Sequence, residues 1–393
     1  MLVLSLAATG SSAAEPRNRE KGLFEFRDGD RVVFLGSGFI ERLQNTGYLE
    51  TMLTAAMPSK NITFRNLGWS GDTVWGDARA VFGSRADGFK RLLSDVALCK
   101  PTVLIVCYGE NEAYAGETGL EEFRSGMNTL LDSLEATGAR IVLLGPRQHE
   151  KMKPPLPDPA KYNAVLRKYN DVIGQVAKER GHGFIDLYEA NVFDAGEGPF
   201  FLTDNGIHYH STGDFFVSRQ LARSFGIPSR FPRVTIDVIA KSYDATYAVL
   251  TEVEFNPPSV KFEVDTHHLL DDGVNSPLLT FWNLPAGEYE LFIDGKKNSS
   301  REENYFSFPR SYVVSESGNR TEQMRQLINE KNTLFFHRYR PQNETYLFLF
   351  RKHEQGNNAV EIPQFDPLIA DLEKKIAELK QPVKQKYELI KVK

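Results

Sequence analysis

Cysteine is nearly missing from this 393-residue chain, which has only Cys99 and Cys107. Two cysteines exclude a small disulfide-stapled scaffold. The strand read between them, at ~3.3 Å per residue, would hold them roughly 20 Å apart and keep them from pairing. Metal-ligand spacing is missing as well: there is no Cys pair at ligand spacing and no His-x-x-x-His, and His267-His268 and His208-x-His210 are too poor in partners to make a centre. No metal and no cofactor is expected. Long apolar runs are absent, the ~18 residues of a membrane span never being reached. Charge of one sign is lacking too, since 47 Lys and Arg stand against 52 Asp and Glu for a net charge of −5. Such a chain carries no field to draw it onto nucleic acid or an anionic membrane, so a small or neutral ligand is the expected partner.

What is present is ordinary for a folded protein. Hydrophobic residues make up 41% and charged residues 25%, at a length that supports two domains with substantial cores. Leu2 to Ala8 is a short apolar run, and Ser12-Ala13-Ala14 before Glu15 has the small residues of a signal-peptidase site. Residues 1–22 therefore read as a leader, and the protein as exported to a periplasmic or extracellular location. Asn-x-Ser/Thr sequons at Asn61, Asn298, Asn319 and Asn343 matter only in a host that glycosylates exported proteins.

From Arg31 to Gly226, short β-branched runs alternate with amphipathic stretches, the pattern of a parallel sheet covered by helices on both faces. The expected strands are Val32 to Leu35, Ile62 to Asn66, Thr102 to Cys107, Arg140 to Leu144 and Gly183 to Leu187. Helical spacing marks Tyr48 to Ala56, Ala86 to Leu98, Leu120 to Glu135 and Ala160 to Glu179. The expected fold is α/β, a flavodoxin-like, doubly wound sheet of five parallel strands over residues 23–227. Pro228 to Pro232 reads as a linker. Residues 233–313 are expected to form a smaller antiparallel β domain, with turns at Asn256-Pro257-Pro258, Pro285-Ala286-Gly287 and Asp294-Gly295. Residues 314–393 are expected to supply helices near Thr321 to Asn332 and Pro367 to Leu379, then a mobile basic tail after Pro382.

Three separated segments carry chemistry: Asn66-Leu67-Gly68-Trp69-Ser70-Gly71-Asp72-Thr73, Gly109-Glu110-Asn111-Glu112 and Asp204-Asn205-Gly206-Ile207-His208. The first two directly follow expected strands, where ligands of such sheets gather. In this order the segments resemble the motif blocks of the SGNH (GDSL-like) esterases and lipases, over roughly Arg31 to Gly226. The resemblance implies a site in which the Gly71 N–H and the Asn111 amide donate to an oxyanion and His208 is the base. Ester hydrolysis of this kind needs a hydroxyl, a base, a group that orients the base, and those donors.

Two positions depart from the family. Gly36-Ser37-Gly38 stands where the family has Gly-Asp-Ser, so Gly38 holds the nucleophile's place without a side chain. Ser37 is one residue early, and only a local bulge would redirect it, because a one-residue shift reverses a strand side chain. Ser70 is expected to be part of its turn. Asn205 stands three residues before His208, where the family has Asp, and an amide there can select the wrong imidazole tautomer. Asp204 substitutes only if its loop turns the carboxylate inward. The expectation is an exported ester hydrolase for acyl or acetyl esters, carbohydrate esters being one class that fits, with Ser37 or a water activated by His208 as attacking group. The alternative is a catalytically inactive binding module that keeps the site. The dense run His337 to Arg351 is expected to pack or to face solvent rather than bind nucleic acid, with Arg338, Arg340 and Asn343 as a proposed substrate wall beside the first domain.

Overall fold

The computed structural model describes residues 24–189, 201–227, 232–265, 278–297, 310–313 and 316–392. The leader-like segment, most of the linker, His267-His268 and Asn298 lie outside the described residues, and the Asn319 side chain is likewise not described.

Five strands form one sheet: β1 (Arg31–Gly36), β2 (Thr63–Gly68), β3 (Val103–Cys107), β4 (Arg140–Leu144) and β5 (Gly183–Ile185). Their order is β2-β1-β3-β4-β5, and every pairing is parallel. This is the flavodoxin-like order expected from the sequence. The central strand β3 reads Val-Leu-Ile-Val-Cys and is buried along its whole length, as a strand covered on both faces must be. Leu104 and Val106 pack with Leu92, Leu130 and Ile173 on one face; Val103 and Ile105 pack with Ile40, Met52 and Leu221 on the other. The covering helices are α1 (Gly38–Thr46), α2 (Tyr48–Ala56), α3 (Arg85–Cys99), α4 (Leu120–Glu135), α5 (Ala160–Arg180) and α6 (Ser211–Ser224). Helix α1 was not expected, because Gly36-Ser37-Gly38 reads as a breaker. It crosses close to the end of β2: a Cβ on Gly68 would lie 2.1 Å from the Glu41 nitrogen, so only glycine fits there. Cys99 and Cys107 are both free thiols, as the spacing implied.

The second part of the chain forms two further sheets. One has the order β13-β10-β6-β7, from β6 (Arg233–Asp237), β7 (Ser242–Thr246), β10 (Leu278–Trp282) and β13 (Arg310–Val313). The other runs β12-β11-β14-β9-β8, from β8 (Val249–Asn256), β9 (Ser259–Asp265), β11 (Tyr289–Ile293), β12 (Lys296–Lys297) and β14 (Gln385–Lys391). Val234, Ile236, Phe262, Phe281 and Leu389 share the core between them. The pairings are antiparallel except β6 with β10. Strand β14 corrects the expectation of a mobile tail. It pairs on both sides, with β11 and β9, and buries Tyr387 and Leu389. Its alternation of apolar and polar residues is the period of a half-buried strand, masked by lysines on the wet face.

Helix α7 (Glu316–Tyr339) is longer than its pattern indicated, and α8 (Glu344–Leu347), α9 (Lys352–Gln355) and α10 (Phe365–Leu379) follow. Phe335, Tyr339 and Ile369 join the core of the first sheet. Buried Lys331 pairs with Glu50 on α2 and donates to the Phe64 carbonyl at 3.1 Å, tying α7 to the α/β layer. No helix among the described residues is long and apolar enough to cross a membrane.

Candidate functional site

The strand order reverses between β1 and β3, so the loops after their carboxyl ends splay apart and leave a crevice. Gly38 begins α1 directly after β1, and Asn111 follows β3 by four residues. A Cβ built on Gly38 meets only Ser70, with Oγ at 3.5 Å, at ordinary contact distance. A Cβ therefore fits at position 38 without displacing anything, beside the Ser70 hydroxyl. Ser37 is buried, and β1 keeps unbroken register with both neighbours through Gly36, so no bulge intervenes to redirect it.

The Asp72 N–H donates to the Trp69 carbonyl at 3.0 Å, closing a turn over Ser70 and Gly71. Gly71 has φ +79°, the value a type II turn requires at its third residue. The Asn111 amide donates to the Asp72 carbonyl at 2.7 Å and so lies against the same turn. Neither the second Asn111 amide hydrogen nor the Gly71 N–H has a hydrogen-bond partner among the described residues. Glu112 ties the two loops together by accepting the Val74 and Gly109 N–H groups, each at 2.9 Å. Burial pushes its carboxyl up to about 7 despite those two bonds.

His208 sits on a hairpin closed by the Thr203–Tyr209 bridge and by the Asp204 N–H donating to the His208 carbonyl at 2.9 Å. The Asn205 Oδ1 accepts the backbone N–H groups of Ile207 at 3.1 Å and His208 at 2.8 Å. With its oxygen so engaged, the amide turns its nitrogen to the ring, 3.3 Å from His208 Nδ1. Nδ1 must then accept, and the neutral ring carries its proton on Nε2. Burial, then the nearby Arg42 and Arg147, lower the affinity of His208 for a second proton. Asp204 is exposed and makes no side-chain hydrogen bond to His208 among the described residues. His210 caps α6, accepting the Gly213 N–H at 3.4 Å.

Arg147, three residues beyond β4, was not anticipated and organises the site. Its guanidinium donates to the Ile207 carbonyl at 3.0 Å and to Glu110 at 3.2 Å. It also lies between the rings of Phe39 and Tyr209, 4.6 and 4.7 Å from their centroids. Each of these neighbours adjoins in sequence one of Gly38, Asn111 and His208, so one buried cation links three loops. Burial raises the Glu110 carboxyl, but Arg147 and His149 outweigh it and hold the group below the usual carboxylate range. The available signal was a charged side chain shortly after the carboxyl end of a parallel strand.

The expected substrate wall divides. Arg340 reaches the site, 3.8 Å above the Trp69 ring and 3.2 Å from Glu41. Arg338 instead pairs with Asp366 on α10 at 3.0 Å, and Asn343 precedes α8, its carbonyl accepting the Tyr346 and Leu347 N–H groups.

A family model for GDSL-like lipases and acylhydrolases matches residues 37–214. No curated protein matches the chain. Among solved structures, a gut microbial diltiazem-metabolizing enzyme has the same architecture, with a TM-score of 0.72 and 17% identity over 94% of this chain and 99% of its own. That likeness takes in the second pair of sheets and the C-terminal helices. The acetylxylan esterase Axe2 from Geobacillus stearothermophilus is similar over 52% of this chain and 97% of its own, at 21% identity and a TM-score of 0.41. An alpha/beta hydrolase from the metagenome of Lake Arreo, Spain, gives 20% identity, 51% and 97% coverage and a TM-score of 0.42. The motif blocks, the strand order and the family match together make residues 37–214 a member of the GDSL-like lipase/acylhydrolase family, the SGNH hydrolases.

Proposed function

We propose that this chain is a binding module on the SGNH scaffold, one that holds an acyl or acetyl group by its oxygen and does not hydrolyse it. The observation that carries the reading is the Asn205 amide on His208 Nδ1, oriented by its own two backbone hydrogen bonds. A base needs an unshared pair on the nitrogen facing the nucleophile. The neutral His208 ring presents an N–H there instead. Gly38 adds no hydroxyl. What is left is a set of donors, from Gly71, Asn111 and His208, suited to a carbonyl or carboxylate oxygen. Acylated carbohydrates are a fitting ligand class for such a module in an exported setting, which the leader-like segment supports.

A second reading, an active esterase, has one observation in its favour: the Ser70 hydroxyl borders the space that a nucleophile at position 38 would fill. Incubation with p-nitrophenyl acetate and with a serine-directed phosphonate separates the two. The binding module releases no nitrophenol above the buffer rate and takes up no label, while acetate perturbs the Gly71 and His208 NMR signals. Turnover that disappears in Ser70→Ala or Ser37→Ala would establish the esterase and end the first reading.

A further inference from the structure

The end of α7 lies far outside residues 37–214, yet it touches consecutive residues of the β2 loop. The Tyr339 hydroxyl donates to the Gly68 carbonyl at 2.9 Å. The Arg340 guanidinium covers Trp69, which also meets the guanidinium of Arg79, 5.1 Å from the ring centroid, and the Tyr339 ring edge-on at 6.3 Å. Arg340 also pairs with one oxygen of Glu41 at 3.2 Å, and the other oxygen of Glu41 accepts the Ser70 N–H. Arg91 holds this end of the helix in place by donating to the Tyr339 carbonyl at 2.6 Å. The next residue in the loop is Gly71.

We propose that Arg340 is a positioning residue: acting through Glu41 and Trp69, it fixes the Ser70–Gly71 turn so that the Gly71 N–H points into the crevice. The significance of that direction rests on the donor reading above. Turns of types I and II differ by rotation of their central peptide, here the one that carries the Gly71 N–H, and glycine accepts both signs of φ. The turn is thus an element with two arrangements. Neither its closing bond from Asp72 to Trp69 nor the Glu41 bond to the Ser70 N–H distinguishes the two, because φ of the second turn residue is about −60° in both. What Glu41 and the stack on Trp69 fix is the Trp69–Ser70 peptide that carries the turn, and with it the direction in which the Gly71 N–H is presented. Glu41 has one cation, Arg340, within salt-bridge distance among the described residues. Lysine at 340 would supply charge but not the planar stack on Trp69.

The test uses the full chain labelled with 15N-glycine, in Arg340→Met, Arg340→Lys, Glu41→Gln and the Arg340→Met/Glu41→Gln double variant. Both single losses should move the Gly71 amide signal to the same new position and weaken acetate binding roughly tenfold, as one lost hydrogen bond would. The double variant should be no worse than either single, Arg340→Lys should fall between wild type and Arg340→Met, and melting temperatures should stay close to wild type. A Gly71 signal unmoved in both folded single variants overturns the proposal, and so do effects that add in the double variant. If Arg340→Met fails to fold, Glu41→Gln alone decides by the same signal. Acetate that leaves wild-type Gly71 untouched would remove the donor reading, while the amide shift still decides the positioning role.

Discussion

The two sides of the crevice are built differently. On the side of β2 and β3, the groups proposed to hold an oxygen are braced. Gly71 sits in the turn its φ demands, Asn111 is bonded to Asp72, and Glu112 laces the loops together. On the side of β1 and the His208 hairpin, position 38 carries no side chain and the Asn205 amide faces His208 Nδ1, so the neutral ring keeps its proton on Nε2. The backbone at both positions accommodates the family's residues: a Cβ at 38 meets Ser70 at ordinary contact distance, and an Asp at 205 could accept the same two N–H bonds as Asn205. On the proposed reading, holding and attacking are separable in this scaffold, because different loops supply them and buried Arg147 ties those loops together.

If that separation is right, the Gly38→Ser/Asn205→Asp variant should produce the largest change available. Hydrolysis of p-nitrophenyl acetate should rise at least ~10³-fold over the parent chain, since the donors await only the missing pair. Gly38→Ser alone should recover little, because holding the wrong imidazole tautomer costs a serine-protease triad about 10⁴-fold in kcat. Equal activity in the single and double variants would show that Asn205 does not set the tautomer. In the double variant, Asn111→Ala should then remove about 10²- to 10³-fold in kcat, the usual effect of one oxyanion donor. The register itself is testable through Arg147→Met. It leaves Glu110 buried without its main countercharge, and urea denaturation should show a loss of about 3–5 kcal/mol. A loss below about 1 kcal/mol would mean that the three loops hold their places without it.

Much of this was legible in the residues. The five parallel strands have periods and lengths that leave few alternatives, and the first two motif blocks lie where their strands end. Helix α1 was hidden because its first turn contains Gly38 and follows Gly36 and Ser37, residues whose local preference is for a break, while burial of Phe39, Ile40 and Leu43 decides the outcome. Strand β14 was hidden by its lysines, although Tyr387 and Leu389 carry the pattern. Arg147 and Glu41 were beyond reach for a different reason: their roles arise from contacts across 37 to 299 positions of sequence, and no local spacing encodes such a meeting. The run from His337 was recognised as unusual, but nothing in it distinguishes Arg340, which meets the site, from Arg338, which meets α10.

The smallest effect sharpens the comparison at a single ring. In the parent chain, burial with Arg42 and Arg147 nearby keeps the folded-state pKa of His208 below its ordinary value of 6.5. The unfolded chain therefore binds the proton first as pH falls. Its contribution to stability is complete above 6.5 and declines as pH drops toward the folded-state value. In Asn205→Asp a carboxylate accepts from Nδ1–H and favours the charged ring, so the folded-state pKa should move above 6.5. The linkage then reverses: His208 adds stability that is present below 6.5 and lost as pH rises through the new value. Each tenfold change in the ring's proton affinity corresponds to about 1.4 kcal/mol, so, with the other groups common to both proteins, the stability of Asn205→Asp relative to the parent chain should fall as pH rises from 5 to 8 in paired denaturation series. NMR titration of the imidazole gives the two values directly. A His208 that titrates identically in both proteins would mean that the residue at 205 does not govern the ring, and the attacking side of the crevice would then have lost only its serine.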